Sequence, residues 1–151
     1  LFGVQAIDES GPGDVVVIVA GDPNVTCLGG LMATTAKVRG LEGIVIDGAA
    51  RDLDQIDDAG LTVYARGISP STSVGRYVNL ARDIPVVCAG VTVNPGDYIV
   101  TDRDGVVCIP AEYIEPVLRR AVAIEQTEEK MFPIIRKEKS LQKVIELFKR
   151  I

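Results

Sequence analysis

Two pairs of adjacent residues in the first half of the sequence are suited to bind a small anion and a metal ion. Gly29-Gly30 leads into a helical pattern, and Arg51-Asp52 follows a short apolar run. Free N–H groups at a helix start bind anions, and glycine lets a carboxylate approach the backbone. Arg51 adds a permanently charged fork that matches a carboxylate or a keto acid. Asp52 adds a hard oxygen ligand for Mg²⁺ or Mn²⁺, with water completing the shell.

Together these groups suit a 2-keto acid whose enolate is stabilised by a metal ion acting as a Lewis acid. The residues alone leave a structural alternative open. In that interpretation Gly29-Gly30 only starts a helix, and Arg51 and Asp52 form a surface ion pair. The elements around the two pairs decide whether they can meet.

A strand–helix–strand unit surrounds the two pairs. Residues 14–20 (DVVVIVA) predict a strand buried on both faces, and residues 43–47 (GIVID) predict another buried strand. Residues 31–39 predict a helix that ends at Gly40. On this helix, four residues are expected to share a face: Leu31, Ala33, Thr34 and Val38. A ten-residue helix and a five-residue strand are both roughly 15 Å long, so we expect both pairs at the carboxyl edge of a parallel sheet, where such sheets bind ligands.

The remaining sequence predicts a β-rich half followed by C-terminal helices. The predicted elements are a helix over 1–10, a helix over 53–59, a strand over 61–65, short β runs from residue 85 with a hairpin turn at 102–105, a helix over 110–127, a break near Pro133 and an amphipathic helix over 141–151. The loop 67–77 (GISPSTSVGRY) has two interpretations. Its Ser, Thr and Arg76 side chains line an anion pocket or a subunit contact, or the loop is a surface connection.

Composition narrows the class of protein. The 151 residues are 47% hydrophobic and 25% charged, with a net charge of −5, which is typical of one α/β domain. No basic patch interleaved with aromatic residues is present, so nucleic acid is not an expected partner. No apolar run is long enough to span a membrane and no signal peptide is visible, so a membrane is not expected either.

Histidine is absent, and this excludes a Ser-His-Asp triad, a Cys-His pair and a His-ligated metal site within this sequence. Three cysteines without a CxxC spacing predict reduced, buried thiols and a cytoplasmic location. They are Cys27, Cys88 and Cys108. The acidic residues of 53–59 are expected to form a solvated helix face, and Asp97, Asp102 and Asp104 are expected to form turns.

Four segments, in this order, resemble the RraA-like superfamily: GGLMATTAKVRG, GIVIDGAARD, GISPSTSVGRY and PVVCAGVTVNPGDYIVTDRDGVVCIP. The resemblance covers residues 13 to about 110. It implies an α/β fold with a layered α/β/β/α, swivelling-domain-like architecture and a mixed central β core. The family includes divalent-metal (class II) aldolases that cleave 4-hydroxy-4-methyl-2-oxoglutarate or 4-carboxy-4-hydroxy-2-oxoadipate, some of which decarboxylate oxaloacetate. It also includes RraA, an inhibitor of ribonuclease E.

The resemblance implies a role for each residue of the two pairs. The backbone of Gly29, Gly30, Leu31 and Met32 would bind the pyruvyl carboxylate. Arg51 and Asp52 would be the catalytic residues, with Arg51 orienting the substrate and Asp52 binding Mg²⁺ or Mn²⁺. One departure is that Gly30 stands where the aldolases usually carry an acidic residue that orders water. Because RraA lacks the metal-binding aspartate, the presence of Asp52 favours an enzyme.

The resemblance also implies the organisation of the protein. We expect one RraA-like domain over 1–151, with C-terminal helices at 111–151, in a homotrimer or hexamer. Family members usually begin with a further helix and strand, so we expect this chain to be a fragment, a processed form or part of a longer polypeptide. In the family a glutamate of an adjacent subunit approaches the site, and Glu125 or Glu128 is the candidate here. The alternative functions are a non-catalytic regulator that binds a ribonuclease and an accessory domain of a fusion enzyme.

Overall fold

The structure, a computed structural model, describes residues 2–78 and 80–149. The helices are α1 (Phe2–Glu9), α2 (Gly30–Val38), α3 (Leu53–Ala59), α4 (Ile114–Glu138) and α5 (Leu141–Phe148), with a 3₁₀ turn at Ala111–Tyr113. The strands are β1 (Val15–Val19), β2 (Thr26–Leu28), β3 (Gly43–Ala50), β4 (Thr62–Ile68), β5 (Val86–Cys88), β6 (Val91–Val93), β7 (Tyr98–Asp102) and β8 (Gly105–Ile109). The chain divides into two compact units, Leu1–Pro110 and Ala111–Ile151.

Strand β3 is the centre of a parallel sheet in the first unit. It pairs with β4 along nearly its whole length, from Gly43 to Ala50. It also pairs with β1 over its first five residues and with β2 at Ala49 and Ala50. Because a strand has only two edges, β1 and β2 follow one another along the edge opposite β4. The mixed α/β class expected from the sequence is confirmed by this parallel sheet and by the two antiparallel hairpins, β5–β6 and β7–β8.

The core of the first unit lies around β3 and the helices α2 and α3. Ten buried residues form it: Ile7, Leu28, Ala33, Ala36, Leu41, Ile44, Ile46, Ala50, Ile56 and Leu61. Fully burying one Ile or Leu side chain stabilises a fold by about 1.5–3 kcal/mol. These residues come from helices and strands alike, so the core holds the sheet and the two helices beside it in one arrangement.

The buried face of α2 differs from the prediction. Gly30, Ala33 and Ala36 are buried, whereas Leu31 and Val38 are 85% and 83% exposed. The predicted face was therefore wrong at its two largest residues. Small residues at a spacing of three let the helix backbone lie close to its neighbours, and the larger side chains are left outside. The predicted stop at Gly40 is confirmed, because Gly40 has φ +83° and the N–H of Leu41 donates to the C=O of Ala36 at 3.1 Å.

Two strand predictions need correction. Strand β1 was expected to be buried on both faces, but Val15 to Ile18 are half-buried and Val19 is 41% exposed. In the described part of the chain β1 pairs only with β3, so it is an edge strand. Strand β2 was not predicted as a separate element, because its three residues are too few for a periodicity signal. The Gly-Gly turn therefore follows β2 and not β1.

The second unit contains α4 and α5. The predicted break near Pro133 was wrong, because α4 is one helix of 25 residues with Pro133 inside it. Proline removes a single backbone hydrogen bond, and the helix continues on both sides of it. In α5 Val144 is fully buried, whereas Leu141 from the same predicted face is 56% exposed. Residues 150 and 151, included in the predicted helix, lie outside the described residues, as does residue 1 of the first predicted helix.

No helix in the described residues is both long and apolar enough to cross a membrane.

Candidate functional site

The two glycines and the Arg51-Asp52 pair lie at the same edge of the parallel sheet. Gly29 directly follows β2, and Arg51 directly follows β3. Because β2 and β3 are parallel, their carboxyl ends face the same direction. The backbone N–H of Arg51 donates to the C=O of Leu28 at 3.0 Å, and this bond joins the two turns. The structure therefore brings together the residues that the sequence predicted to meet at this edge.

The Asp52 carboxylate faces the start of α2. Its Oδ2 atom accepts a hydrogen bond from the Gly30 N–H at 3.1 Å. The Nε atom of Arg51 lies 3.8 Å from the same oxygen, and the Arg51 and Asp52 side chains are 44% and 34% exposed. A Cβ atom on Gly29 would lie 2.8 Å from Asp52 Oδ2 and 3.1 Å from Arg51 Nε. A side chain at position 29 would therefore push the ends of the Asp52 and Arg51 side chains away from these positions.

The backbone of Asp52 is in the left-handed region, with φ 58° and ψ 45°. Non-glycine residues seldom adopt this conformation, although Asp adopts it more often than most. Asp52 also precedes the first turn of α3, where its C=O accepts from the N–H groups of Gln55 and Ile56. Strained conformations of this kind cost about 1–3 kcal/mol and are common at functional sites.

The Gly30 amide is already used by Asp52, which narrows the predicted anion site. Helix geometry leaves the N–H groups of the first turn without intrahelical acceptors. After Gly30, the next such groups on α2 belong to Leu31 and Met32. No hydrogen bond within the helix is expected for these two amides, and the Leu31 side chain is 85% exposed.

An open pocket of about 290 Å³ adjoins the pair. It is lined by Arg51, Asp52, Leu53, Ile68, Ser69 and Pro70, and the residues of α2 are not among them. Ser69 and Pro70 belong to the loop 67–77, so the start of this loop contributes to a pocket. Arg76 is not among the lining residues, and its guanidinium donates to the C=O of Thr72 at 2.9 Å within the loop.

The side chain of Gln55 occupies the space beside Gly30. A Cβ atom on Gly30 would lie 1.9 Å from Gln55 Oε1 and 2.7 Å from Gln55 Cβ. An acidic side chain at position 30, the residue type expected there from the resemblance, would therefore require Gln55 to move. The sequence showed the departure at Gly30 but not the residue that fills the space.

The donor set suits a hydrated divalent cation. Asp52 offers an accessible carboxylate, which is the ligand type that Mg²⁺ and Mn²⁺ prefer. No group of three His, Cys, Asp or Glu side chains within residues 2–78 and 80–149 is arranged to hold a metal. The residues present therefore fit a cation with Asp52 as its one protein ligand and with water and substrate as the other ligands. They do not fit a site in which side chains supply all the ligands.

A second aspartate–arginine pair on β3 was missed by the sequence analysis. Asp47 accepts from Arg66 Nη1 on β4 at 2.8 Å and from the backbone N–H of Ala89, in the β5–β6 turn, also at 2.8 Å. These hydrogen bonds, first that of Arg66, lower the pKa of Asp47 below its ordinary value. The available signal was a lone Asp inside a buried strand, since a buried carboxylate requires a partner.

The cysteines and the other acidic residues behave as structural groups. All three cysteines are free, as predicted, although only Cys88 is fully buried. Burial is the largest cause that raises the pKa of each thiol, so none of them resembles an activated nucleophile. The acidic residues of α3 are exposed, and the Asp97 and Asp102 side chains accept backbone hydrogen bonds within their own turns, as predicted.

A parallel sheet with a glycine-rich turn facing an Arg-Asp turn defines an α/β protein with a polar site at its carboxyl edge. The family model described as RraA-like, aldolase/RraA, matches residues 1–108, and the chain belongs to this family.

Individual relatives agree with this assignment. A Halalkalibacterium halodurans protein, provisionally named 4-hydroxy-4-methyl-2-oxoglutarate aldolase, is 37% identical over 123 residues, which are 78% of this chain and 56% of the relative. The crystal structure of an uncharacterized Pseudomonas syringae protein matches 96% of this chain and 68% of its own at 32% identity, with a TM-score of 0.91. Streptomyces coelicolor RraAS2, described as an unusual member of the RNase ES inhibitor RraA family, matches 83% of this chain and 64% of its own at 34% identity, with a TM-score of 0.77. The chain spans 56–62% of the length of two curated relatives.

Proposed function

We propose that this protein is a divalent-metal-dependent lyase that acts on a 2-keto acid and releases pyruvate. The reaction is retro-aldol cleavage of a 4-hydroxy-4-methyl-2-oxoglutarate type substrate, decarboxylation of oxaloacetate, or both. The observation that carries the proposal is the meeting of Asp52 Oδ2, the Arg51 guanidinium and the start of α2 at one sheet edge. The aldolase name of a relative that is 37% identical supports the lyase class.

Each group of the site has a role in this proposal. The Arg51 fork binds the keto acid by its carboxylate, because a planar guanidinium matches two carboxylate oxygens. The amides of Leu31 and Met32 donate to the same end of the substrate. Asp52 would hold Mg²⁺ or Mn²⁺, and the cation would supply positive charge next to the keto acid. We also propose that the protein forms a homotrimer or hexamer, in which Glu125 or Glu128 of a neighbouring subunit approaches the site. We propose a cytoplasmic location as well.

The direct test is pyruvate release. The protein is incubated with oxaloacetate or with 4-hydroxy-4-methyl-2-oxoglutarate and Mg²⁺ or Mn²⁺, and pyruvate is measured against a blank that contains the metal alone. We expect release above the blank that disappears in Asp52→Ala. No release above the blank, or full activity in Asp52→Ala, would refute the proposal.

A second candidate function is a non-catalytic regulator, favoured by the structural match to RraAS2 at a TM-score of 0.77. In that case the protein binds an RNase E-type ribonuclease and lowers its activity. A binding and inhibition assay with such a ribonuclease distinguishes the two functions. Inhibition without pyruvate release supports the regulator, and pyruvate release without inhibition supports the lyase.

A further inference from the structure

Residues 69–72, the crossing segment, pass from one side of strand β3 to the other. At the start of the segment, on the β4 side of β3, the N–H of Ser69 donates to the C=O of Ala50 at 3.0 Å. At its end, Thr72 forms a parallel bridge with Thr26 of β2, which pairs with the opposite edge of β3. Since β3 already occupies one edge of β2, Thr72 lies on the edge of β2 that faces away from β3. The first two residues of the crossing segment line the open pocket at the sheet edge.

Thr26 attaches the crossing segment to β2 at two points. The Thr26 hydroxyl donates to the C=O of Ser69, and the Thr26 N–H donates to the C=O of Ser71 at 2.8 Å. Thr26 and Ser69 are 3% and 8% exposed, so the hydroxyl contact is inside the fold. A buried carbonyl that loses its donor is costly, and the crossing segment is therefore expected to shift when the hydroxyl is removed.

Ser69 uses its other polar groups inside the fold as well. Its hydroxyl donates to the C=O of Asn24 at 2.5 Å and accepts from the N–H of Ser71 at 3.2 Å. Its N–H is bonded to Ala50, the residue directly before Arg51. A shift of Ser69 therefore acts both on the pocket wall and on the start of the Arg51-Asp52 turn. These contacts lie within one chain, so they do not depend on groups that a neighbouring subunit adds to the pocket.

We propose that Thr26 is a positioning residue for the pocket. Its buried hydroxyl fixes the wall formed by Ser69 and Pro70 and, through the bond from Ser69 to Ala50, the start of the turn that carries the substrate-binding arginine. This inference rests on the proposed pyruvate-forming function. Thr26 is not among the lining residues and acts through the crossing segment. Removing the hydroxyl should weaken binding of the keto acid more than it slows the reaction, because the proposed metal ligand is unchanged.

The test compares KM and kcat, above the metal blank, in the wild type, Thr26→Val, Thr26→Ser and Ile44→Val. The substrate is oxaloacetate or 4-hydroxy-4-methyl-2-oxoglutarate, whichever the wild type converts. Valine has the shape of threonine without the hydroxyl, serine keeps the hydroxyl, and Ile44→Val removes a buried methyl group elsewhere on β3 as a control for lost stability. Thr26→Val should raise KM about fivefold or more and change kcat less than about twofold, because a small displacement of binding groups weakens binding strongly. Thr26→Ser should stay close to the wild type, and Ile44→Val should lower the thermal midpoint without changing KM.

Hydrogen exchange of the amides of the crossing segment, followed by NMR, tests the attachment itself. Exchange at Ser69 and Ser71 should be faster in Thr26→Val than in the wild type and unchanged in Ile44→Val. If Thr26→Val does not fold, Ser69→Ala replaces it, because it releases the crossing segment from Asn24 and should also raise KM.

Three results would overturn the positioning role and leave the proposed function standing. They are an unchanged KM in Thr26→Val, an equal rise of KM in Ile44→Val, and unchanged exchange in the crossing segment. No pyruvate from either substrate in the wild type would overturn the proposed function and this inference with it.

Discussion

Two aspartate–arginine pairs lie along strand β3, and they are built differently: Asp47 of β3 pairs with Arg66 of β4, and Arg51 and Asp52 directly follow the end of β3. Asp47 and Arg66 lie 2.8 Å apart; the Asp47 side chain is only 9% exposed, whereas that of Arg66 is 53% exposed. Arg51 and Asp52 lie 3.8 Å apart, and their side chains are 44% and 34% exposed. Asp47 also accepts a hydrogen bond from the Ala89 amide and so connects β3 with β4 and with the β5–β6 turn. The charged groups of Arg51 and Asp52 remain accessible to solvent.

The comparison shows how the same two side-chain types take different roles. A carboxylate with its hydrogen bonds satisfied inside the fold stabilises the arrangement of the strands around it. A solvent-exposed carboxylate at a long distance from its arginine is stabilised little by the ion pair and remains accessible to a ligand. We therefore propose that the Asp47–Arg66 pair stabilises the fold and that the Arg51–Asp52 pair serves the function.

The largest expected effect is the loss of activity in Asp52→Asn. Asn adopts the left-handed backbone about as readily as Asp and can still accept from Gly30, so the fold should be kept while the charge is lost. Pyruvate formation should fall by about a hundredfold or more, as when one electrostatic group is removed from an active site. Steady-state assays with Mg²⁺ measure it, and Asp54→Asn, on the exposed face of α3, is the control. Equal pyruvate formation by Asp52→Asn and Asp54→Asn would contradict the proposal that Asp52 is required for activity.

Arg51→Lys should have the next largest effect. Lysine keeps the charge but loses the planar fork, so the KM for the keto acid should rise about tenfold or more. The matched change Arg66→Lys should leave KM unchanged and lower the thermal midpoint. If both substitutions changed KM to the same extent, the division between the two pairs would be wrong.

Asp47→Asn should reduce stability and leave pyruvate formation nearly intact. The pKa of Asp47 is lowered in the folded protein, so its stabilising contribution is complete above the ordinary Asp pKa of 3.8 and is lost as the pH falls through the lower folded-state pKa. The difference in thermal midpoint between wild type and variant should therefore be present at pH 7 and shrink below about pH 3.8. Unfolding monitored by circular dichroism across this range measures it. A difference that grew towards low pH would contradict the role given to Asp47.

The smallest expected effect is on the thiol of Cys88. Burial first, and then the charge of Asp47, raise the pKa of Cys88, so its alkylation should be slow at pH 7 and faster at higher pH. Asp47→Asn removes that charge and one anchor of the β5–β6 turn, so alkylation should become several-fold faster than in the wild type. Mass spectrometry after iodoacetamide treatment measures the alkylated fraction of Cys88 over time, with Cys108 as the internal control. An unchanged rate at Cys88 would show that Asp47 does not hold this turn.

Local patterns in the sequence predicted most of the elements that position the site, but not β2, which leads into Gly29. The β-branched run, the glycine stop at Gly40 and the lengths of the elements were enough to place two turns at one sheet edge. Each of these depends on residues close in the chain. The expectation that residues 53–59 form a solvated acidic helix was confirmed for the same reason, since it required only local periodicity and charge.

Tertiary packing decided the features that the sequence analysis missed. The Asp47–Arg66 pair depends on the register between β3 and β4, which no local pattern specifies. The exposure of Leu31 depends on which face of α2 packs against the core. That face is formed by small residues, and Leu31 lies outside it. The filling of the Gly30 space by Gln55 depends on the approach of α3 to α2, 25 residues apart in sequence.

The most direct test of the central claim is a crystal structure with Mn²⁺ and oxalate, a planar analogue of the pyruvate enolate. We predict that Mn²⁺ bonds to a carboxylate oxygen of Asp52 and that oxalate contacts the Arg51 guanidinium and the amides of Leu31 and Met32. Mn²⁺ and oxalate bound elsewhere, with Asp52 making no contact with the metal, would contradict the account.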